Sequence, residues 1–393
     1  MKPLEGVRVL DLSRMVAGGM AGMLLADFGA DVLKVERPGA GDPLRRWTTE
    51  GRDLWWKVYG RNKRCITLNF HSEEGRQLLL RMLPKFDVLM ESSVPGTLER
   101  HALGWDELKA VHPGLVMLRI SGWGRNGPSS RRPGFGSLVE AASGLAAMTG
   151  EAERAPVLPP APLADMFSGL YAANAIAFAL FHKEAHGGEG QVIDVSLFES
   201  IFSVLGPIAA EYAACGKVRT RTGSRSTNSA PRGVYETLDG QWIAVSGSTP
   251  AMAEKFLVGY SLGHLLDDAR FATNEARVRH AAELDGAISR AIGERTLNEN
   301  LEIILQNGLT AHPVQTIREI DSNPHWQELG LTVDVPDGEV NVRMHNVIPK
   351  FSGTPGDIRR PGAALGADNE AFYCDELGLT RDELADLREA GVI

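Results

Sequence analysis

Short apolar strand patterns alternating with helix patterns, from the N-terminus to Ser121, confine this chain to a narrow set of folds. Val7 to Leu12 (VRVLDL) reads as a strand, AGGMAGMLLADFGA as a glycine-rich turn opening a helix from about Met20 to Phe28, and Asp31 to Glu36 (DVLKVE) as a second strand. Ile66 to Leu68, Asp87 to Glu91 and Leu115 to Ser121 repeat the strand pattern, with helices expected over Glu73 to Leu83 and Trp105 to Val111. This alternation predicts a doubly wound parallel sheet with helices on both faces and a binding crevice outside the carboxyl ends of its strands. The glycines Gly18, Gly19 and Gly22 do not spell the dinucleotide fingerprint. Glu36 nevertheless stands where an acid would hold a ribose, and Arg37 beside it suits a ribose phosphate.

The stretch from Ala155 to Gly169, APVLPPAPLADMFSG, changes abruptly from a proline-held extended approach to a long apolar run that reads as a buried helix. Asp165 is expected at the mouth of that helix. Backbone N–H groups and the positive end of the helix dipole would keep its carboxylate ionised and would stabilise a second negative charge, which suits a nucleophile. The same position also suits a plain helix cap.

After the fifth strand comes GWGRNGPSSRRPGFG, a surface loop by composition, and then a small-residue helix from Leu138 to Met148. The Asp165 helix runs to about His182, followed by a strand in GQVIDVSL and a helix from Phe198 to Ala214. Residues 216–231 are polar and basic without hydrophobic period and read as a linker; residues 232–320 carry their own strands, GVYETL and QWIAVSG, and several amphipathic helices. Residues 321–340 read as a return linker, and 341–393 as an irregular Pro- and Gly-rich stretch whose last helix, Arg381 to Ala390, packs back on the first domain. At 393 residues two domains are the expectation, with 1–215 forming the N-terminal part of the larger.

Forty-one basic against fifty acidic residues give a net charge of −9 without a charged tail, which argues against nucleic acid as a partner. Cys65, Cys215 and Cys374 are scattered, which argues against a disulfide framework and a zinc site, so no metal is expected. The N-terminal residues enter a strand pattern directly, and no apolar run reaches membrane-span length uninterrupted. A cytoplasmic protein without membrane association is the expectation.

Six stretches in order carry a resemblance: PLEGVRVLDLS at 3–13, LLADFGADVLKVERPGAGDPLR at 24–45, NKRCITLN at 62–69, PGTLERHALGW at 95–105, PLAD ending at Asp165, and GEGQVIDVSLFES at 188–200. Together they resemble the class III coenzyme A transferases, the group of the formyl-CoA and carnitine-CoA transferases, which shares its fold with the α-methylacyl-CoA racemases. The resemblance implies an α/β fold: a Rossmann-like large domain built from both chain ends, a small α+β domain, and two identical subunits interlocked. It implies CoA and acyl-CoA as substrates beside a carboxylic acid, with no prosthetic group. It makes Asp165 the nucleophile, forming a mixed anhydride and then an aspartyl-CoA thioester.

For CoA the resemblance offers Arg37 and Arg100 for the phosphates and Met15 and Leu68 as apolar walls. Val16 stands where formyl-CoA transferases carry glutamine, Ser92-Ser93 where they carry Asn-Phe, and Ser246-Gly247-Ser248 where they carry a glycine run that closes over the aspartate. A racemase is the alternative. Its histidine belongs in the segment that here reads RPGFG, where this chain has Phe135, and His112 and His182 read as surface residues. A nicotinamide oxidoreductase and a non-catalytic acyl-CoA binder are weaker readings.

Overall fold

The computed structural model describes all residues, Met1–Ile393. Six strands form one fully parallel sheet: β1 (Arg8–Asp11), β2 (Asp31–Glu36), β3 (Arg64–Thr67), β4 (Val88–Glu91), β5 (Val116–Ser121) and β6 (Val192–Ser196). Their order is β3-β2-β1-β4-β5-β6. The chain winds outward from β1 in one direction, then returns to β4 and winds in the other, so a crevice opens where β1 and β4 part at their carboxyl ends. Strands such as β4 and β5 are buried along their whole length, as a sheet covered on both faces requires.

The first helix differs from the expected one. It begins at Met15 and runs to Asp27, so Gly18, Gly19 and Gly22 lie inside it rather than in a turn. Close approach explains them: a Cβ on Gly18 would stand 2.0 Å from Ser13 Oγ, and one on Gly22 would stand 2.7 Å from Lys63 Nζ. These glycines make room for neighbouring polar side chains rather than for a pyrophosphate.

The chain divides into two compact units, one of residues 1–145, 159–206 and 329–393, the other of 146–158 and 207–328. In the first unit the C-terminal segment completes the sheet. Phe372, Tyr373, Leu384, Val392 and Ile393 share a core with Leu10, Leu33, Ile66 and Leu89. The outer edge of β3 is closed by side chains instead of a strand. Asp368 accepts from Cys65 N at 2.7 Å, Asn369 accepts from Thr67 N at 2.9 Å, and Tyr373 Oη donates to Thr67 O at 2.8 Å.

The expected return linker is partly a hairpin. β10 (Thr332–Asp337) pairs antiparallel with β11 (Val340–His345) across a two-residue connection in which Gly338 has φ +67°. Val335, Val342 and Met344 bury one face of it against Leu54, Val58 and Ile358. The short alternation in TVDVPDGEVNVRMH carries this signal, which the surrounding prolines and glycines mask.

In the second unit β7 (Arg232–Glu236), β8 (Trp242–Ser246) and β9 (Ala311–Pro313) form an antiparallel sheet against the helices Pro250–Gly259, Ala281–Gly293 and Leu297–Asn307. The helix Ile208–Cys215, placed before the linker by the sequence reading, clusters with this unit. Ser246-Gly247-Ser248 leaves the end of β8, with Gly247 N donating to Pro231 O at 2.7 Å.

The helix Leu163–His186 has 24 residues and, contrary to expectation, is long and apolar enough by composition to cross a membrane. One face, Ala164, Ser168, Gly169, Ala172, Ile176 and Ala179, is buried on the Met15 helix and β5. A core helix of an α/β domain meets the same length and composition test.

Asn369→Ala is expected to lower stability by about 2 kcal/mol, because it strips Thr67 of a backbone acceptor and a hydroxyl partner at a buried edge. Urea unfolding with an unchanged slope and a lower midpoint checks it; an unchanged midpoint would show that the edge closes without Asn369.

Candidate active site

Asp165 lies in the first turn of its helix, two residues inside the start, and does not cap it; the helix begins after Pro162 without a side-chain cap. The N–H groups of Ala17, in the first turn of the Met15 helix, and of Asp165 itself favour the ionised form of its carboxylate. The two helices pack closely here: a Cβ on Gly169 of the Asp165 helix would stand 2.9 Å from Ala17 O. Gly136, the first residue of the helix Gly136–Ala142, faces the carboxylate: a Cβ there would stand 2.1 Å from Asp165 Oδ2. Only glycine leaves that approach open.

Glu140, one turn further along that helix, is 2 % exposed, and its Oε1 accepts from Ala164 N at 3.1 Å. Glu140 was not singled out from the sequence. The legible signal is a lone acid at the i+4 position from Gly136 on a buried small-residue face. Its charge changes the expected electrostatics. Burial first, and Glu140 second, raise the Asp165 pKa to about 6, against the pull of the two N–H groups. Desolvation outweighs the dipole, so the helix mouth alone does not set this pKa. At neutral pH the group is mostly ionised, yet more basic than an ordinary aspartate and so a better nucleophile.

A cavity of about 290 Å³ opens on the other side of the Met15 helix start, at the carboxyl ends of β1 to β4. Arg37, Leu68 and Ser93 line it, and Leu12 and Val35 add apolar surface. Arg14, Arg46, His71 and Thr97 also line it and were not drawn from the sequence. Arg14, Arg37 and Arg46 are exposed, and no carboxylate pairs with them, which leaves three guanidiniums for a phosphate-rich ligand. Ser92 stands just behind this lining, its Oγ accepting from Arg14 N at 2.9 Å.

The remaining positions fall elsewhere. Arg100 is exposed, bonded to Thr97 Oγ1 at 3.2 Å, and does not line the cavity. Met15 and Val16 do not line the cavity, and Val16 is 1 % exposed. Glu36 is not free for a ribose: Arg45 grips both its oxygens at 2.7 Å and Asp42 N donates to it at 2.8 Å. Phe135 is 63 % exposed and immediately precedes Gly136, so a phenyl ring and not an imidazole stands at that position. His182 is seventeen residues from Asp165 along one helix, a rise of roughly 25 Å. His112 ends the helix Trp105–Val111.

Comparison with known proteins follows the geometry. Residues 4–369 match the family described as CoA-transferase family III. The chain is 39% identical over 396 residues, covering 100% of itself and 98% of the relative, to a succinyl-CoA–D-citramalate CoA-transferase of Chloroflexus aurantiacus. It is 36% identical, over 100% of itself and 98% of the relative, to the beta subunit of a succinyl-CoA–L-malate CoA-transferase of the same organism. Among solved structures, a CAIB/BAIF family protein from Brucella suis superposes with a TM-score of 0.84 at 32% identity, over 95% of this chain and 99% of that one.

The raised Asp165 pKa sets a pH test with a definite sign. An acid whose folded pKa lies above its unfolded value favours the fold below the unfolded pKa and loses that contribution as pH rises through the folded one. Asp165→Asn is therefore expected to be more stable than the native chain above about pH 6, by about 1 to 3 kcal/mol, and equally stable near pH 4. Melting curves across this range check it; a pH-independent difference would place the charge penalty elsewhere.

Proposed function

The chain belongs to CoA-transferase family III and is a transferase acting on CoA thioesters, and on that premise we propose that it moves CoA from an acyl-CoA donor to a carboxylic acid acceptor through covalent intermediates on Asp165. The observation that carries this reading is the Asp165 carboxylate in the first turn of its helix, with Gly136 facing its Oδ2 where any larger residue would collide.

The chemistry proceeds without water or a net proton. An Asp165 oxygen attacks the thioester carbonyl, the C–S bond breaks, and CoA leaves as thiolate from a mixed anhydride. The thiolate attacks the Asp165 carbonyl carbon and expels the donor acid, leaving an aspartyl-CoA thioester. The acceptor carboxylate attacks that thioester, and the returning thiolate takes the acceptor's acyl group and frees Asp165. Each addition creates an oxyanion beside the first-turn N–H groups of the Met15 helix, which have no partner within the helix. Holding thiolate and anhydride together makes the second attack effectively unimolecular.

Leu12, Val35 and Leu68 supply apolar surface for an adenine, and Arg14, Arg37 and Arg46 supply charge for the nucleotide phosphates. For the acyl partners the relatives named above support a four- or five-carbon dicarboxylate pair, succinyl-CoA as donor and a hydroxylated dicarboxylate as acceptor. A homodimer is supported by the outer face of the Asp165 helix, where Leu170, Tyr171, Phe178 and Phe181 are exposed and apolar.

Incubation with succinyl-CoA is expected to leave an adduct that hydroxylamine converts to a hydroxamate on the peptide holding Asp165. Asp165→Asn should fold and show neither adduct nor exchange. Label on another carboxylate, or exchange retained by the variant, contradicts the assignment. Exchange of the α-hydrogen of a 2-methylacyl-CoA without adduct would instead favour the racemase. Separately, Arg37→Ala should raise KM for the acyl-CoA by roughly ten-fold with kcat little changed, from loss of one charge-assisted phosphate contact. An unchanged KM would remove Arg37 from the nucleotide site.

A further inference from the structure

Four charged residues of the matched stretches have no part in the chemistry above, yet all are buried: Asp11, Lys34, Asp42 and Lys63 are 0, 3, 4 and 1 % exposed. Lys34 Nζ stands 3.3 Å from Asp42 and 3.9 Å from Asp11, and Lys63 Nζ stands 3.0 Å from the other oxygen of Asp11. The cluster is neutral, but burial of ion pairs seldom gains stability over apolar residues of similar size. What distinguishes it is where its remaining hydrogen bonds go.

Most of them end on one short piece of backbone, Ser13 to Met15. Asp11 Oδ1 accepts from Ser13 N at 3.0 Å and from the Ser13 hydroxyl, and Lys34 donates to Ser13 O. Asp42 Oδ1 accepts from Met15 N at 3.2 Å and from Leu44 N at 2.9 Å, while Lys63 donates to Gly19 O at 3.2 Å. Met15, held in this way, has φ +65°, a left-handed conformation that a methionine adopts only under constraint. Two residues later is Ala17, packed on the Asp165 helix so closely that a Cβ on Gly169 would stand 2.9 Å from Ala17 O, with its N–H acting on the Asp165 carboxylate.

We propose that Asp42 is a positioning residue: with Lys34, Asp11 and Lys63 it clamps Ser13 to Met15 in a left-handed turn that aims the first N–H groups of the Met15 helix at Asp165 and at the oxyanions formed there. This rests on Asp165 being the nucleophile. Asp42 also caps the short 3-10 turn Pro43–Arg46 through Leu44 N, so the cap must be separated from the clamp.

Three variants do so. Asp42→Ser keeps a cap for Leu44 N, but its hydroxyl is too short to reach Met15 N. Asp42→Ala loses both bonds, and Asp42→Asn keeps a neutral acceptor for both. The expected order in kcat is native, then Asn, then Ser and Ala together. Asn should fall at least about three-fold, and Ser by about a hundred-fold, comparable with removal of one oxyanion donor. KM for the acyl-CoA should change far less than kcat. In Ser and Ala the acid limb of the kcat profile should also move to higher pH, because the Ala17 N–H that favours the ionised Asp165 is misdirected. A cap or stability role alone would lower the melting temperature and leave both kcat and that limb in place.

Any variant folded by circular dichroism that keeps the native kcat and acid limb overturns the inference. If only Asn folds, a native kcat in Asn does the same. Asp165→Asn, assayed in parallel, separates the two proposals. If it is inactive while the Asp42 variants match the native chain, only the clamp fails. If it turns over, the nucleophile assignment fails and the clamp with it.

Discussion

The packing of the Met15 helix start on the helix that carries Asp165 is the contact on which the rest of this structure depends. A buried carboxylate is costly to ionise, and Glu140 beside it raises the cost. The Ala17 N–H and the residue's own N–H offset part of that penalty. The resulting balance raises its pKa to about 6. The contact needs the Met15 and Leu163–His186 helices packed closely, and small residues permit it: Ala17 and Ala21 on one, Ala164, Gly169 and Ala172 on the other.

The sheet places the start of the Met15 helix next to the cavity, since Leu12 and Arg14 line it. Because these strands are all parallel, the loops after β1, β2, β3 and β4 open at one edge of the sheet, and the reversal of winding parts those after β1 and β4. Leu12, Arg37, Leu68 and Ser93 each follow one of those strands, and all line the cavity. The Met15 helix starts directly after β1, so a single turn of backbone separates Arg14 in the cavity from Ala17 at the carboxylate.

The sequence made the frame legible because strand and helix periods are local. β2 and the helix Trp105–Val111 match their expected limits, and the other strands of the sheet differ by one or two residues at either end. Asp165 was legible because proline-rich backbone stops abruptly at an apolar run. What escaped depends on contacts distant in sequence. Glu140 looks like a solvated helix residue until its helix is seen to face Ala164. Asp42 and Lys34 look like surface charges, but β1 and Lys63 bury them. Glu36 looks free until Arg45 folds onto it. The β10-β11 hairpin is too short for its alternation to stand out from the flanking Pro and Gly.

The central claim, that Asp165 carries the acyl group and then CoA, predicts a particular path for oxygen. An acceptor acid labelled with oxygen-18 in its carboxylate should deposit one labelled oxygen on the Asp165 side chain as its thioester forms, and the next turnover should release that oxygen in the donor acid. Mass spectrometry of the Asp165 peptide and of the released acid over successive turnovers follows the label directly. Label found first on Asp165 and then in the donor acid is the predicted result; an acceptor that forms its thioester while neither Asp165 nor the donor acid gains label would contradict it.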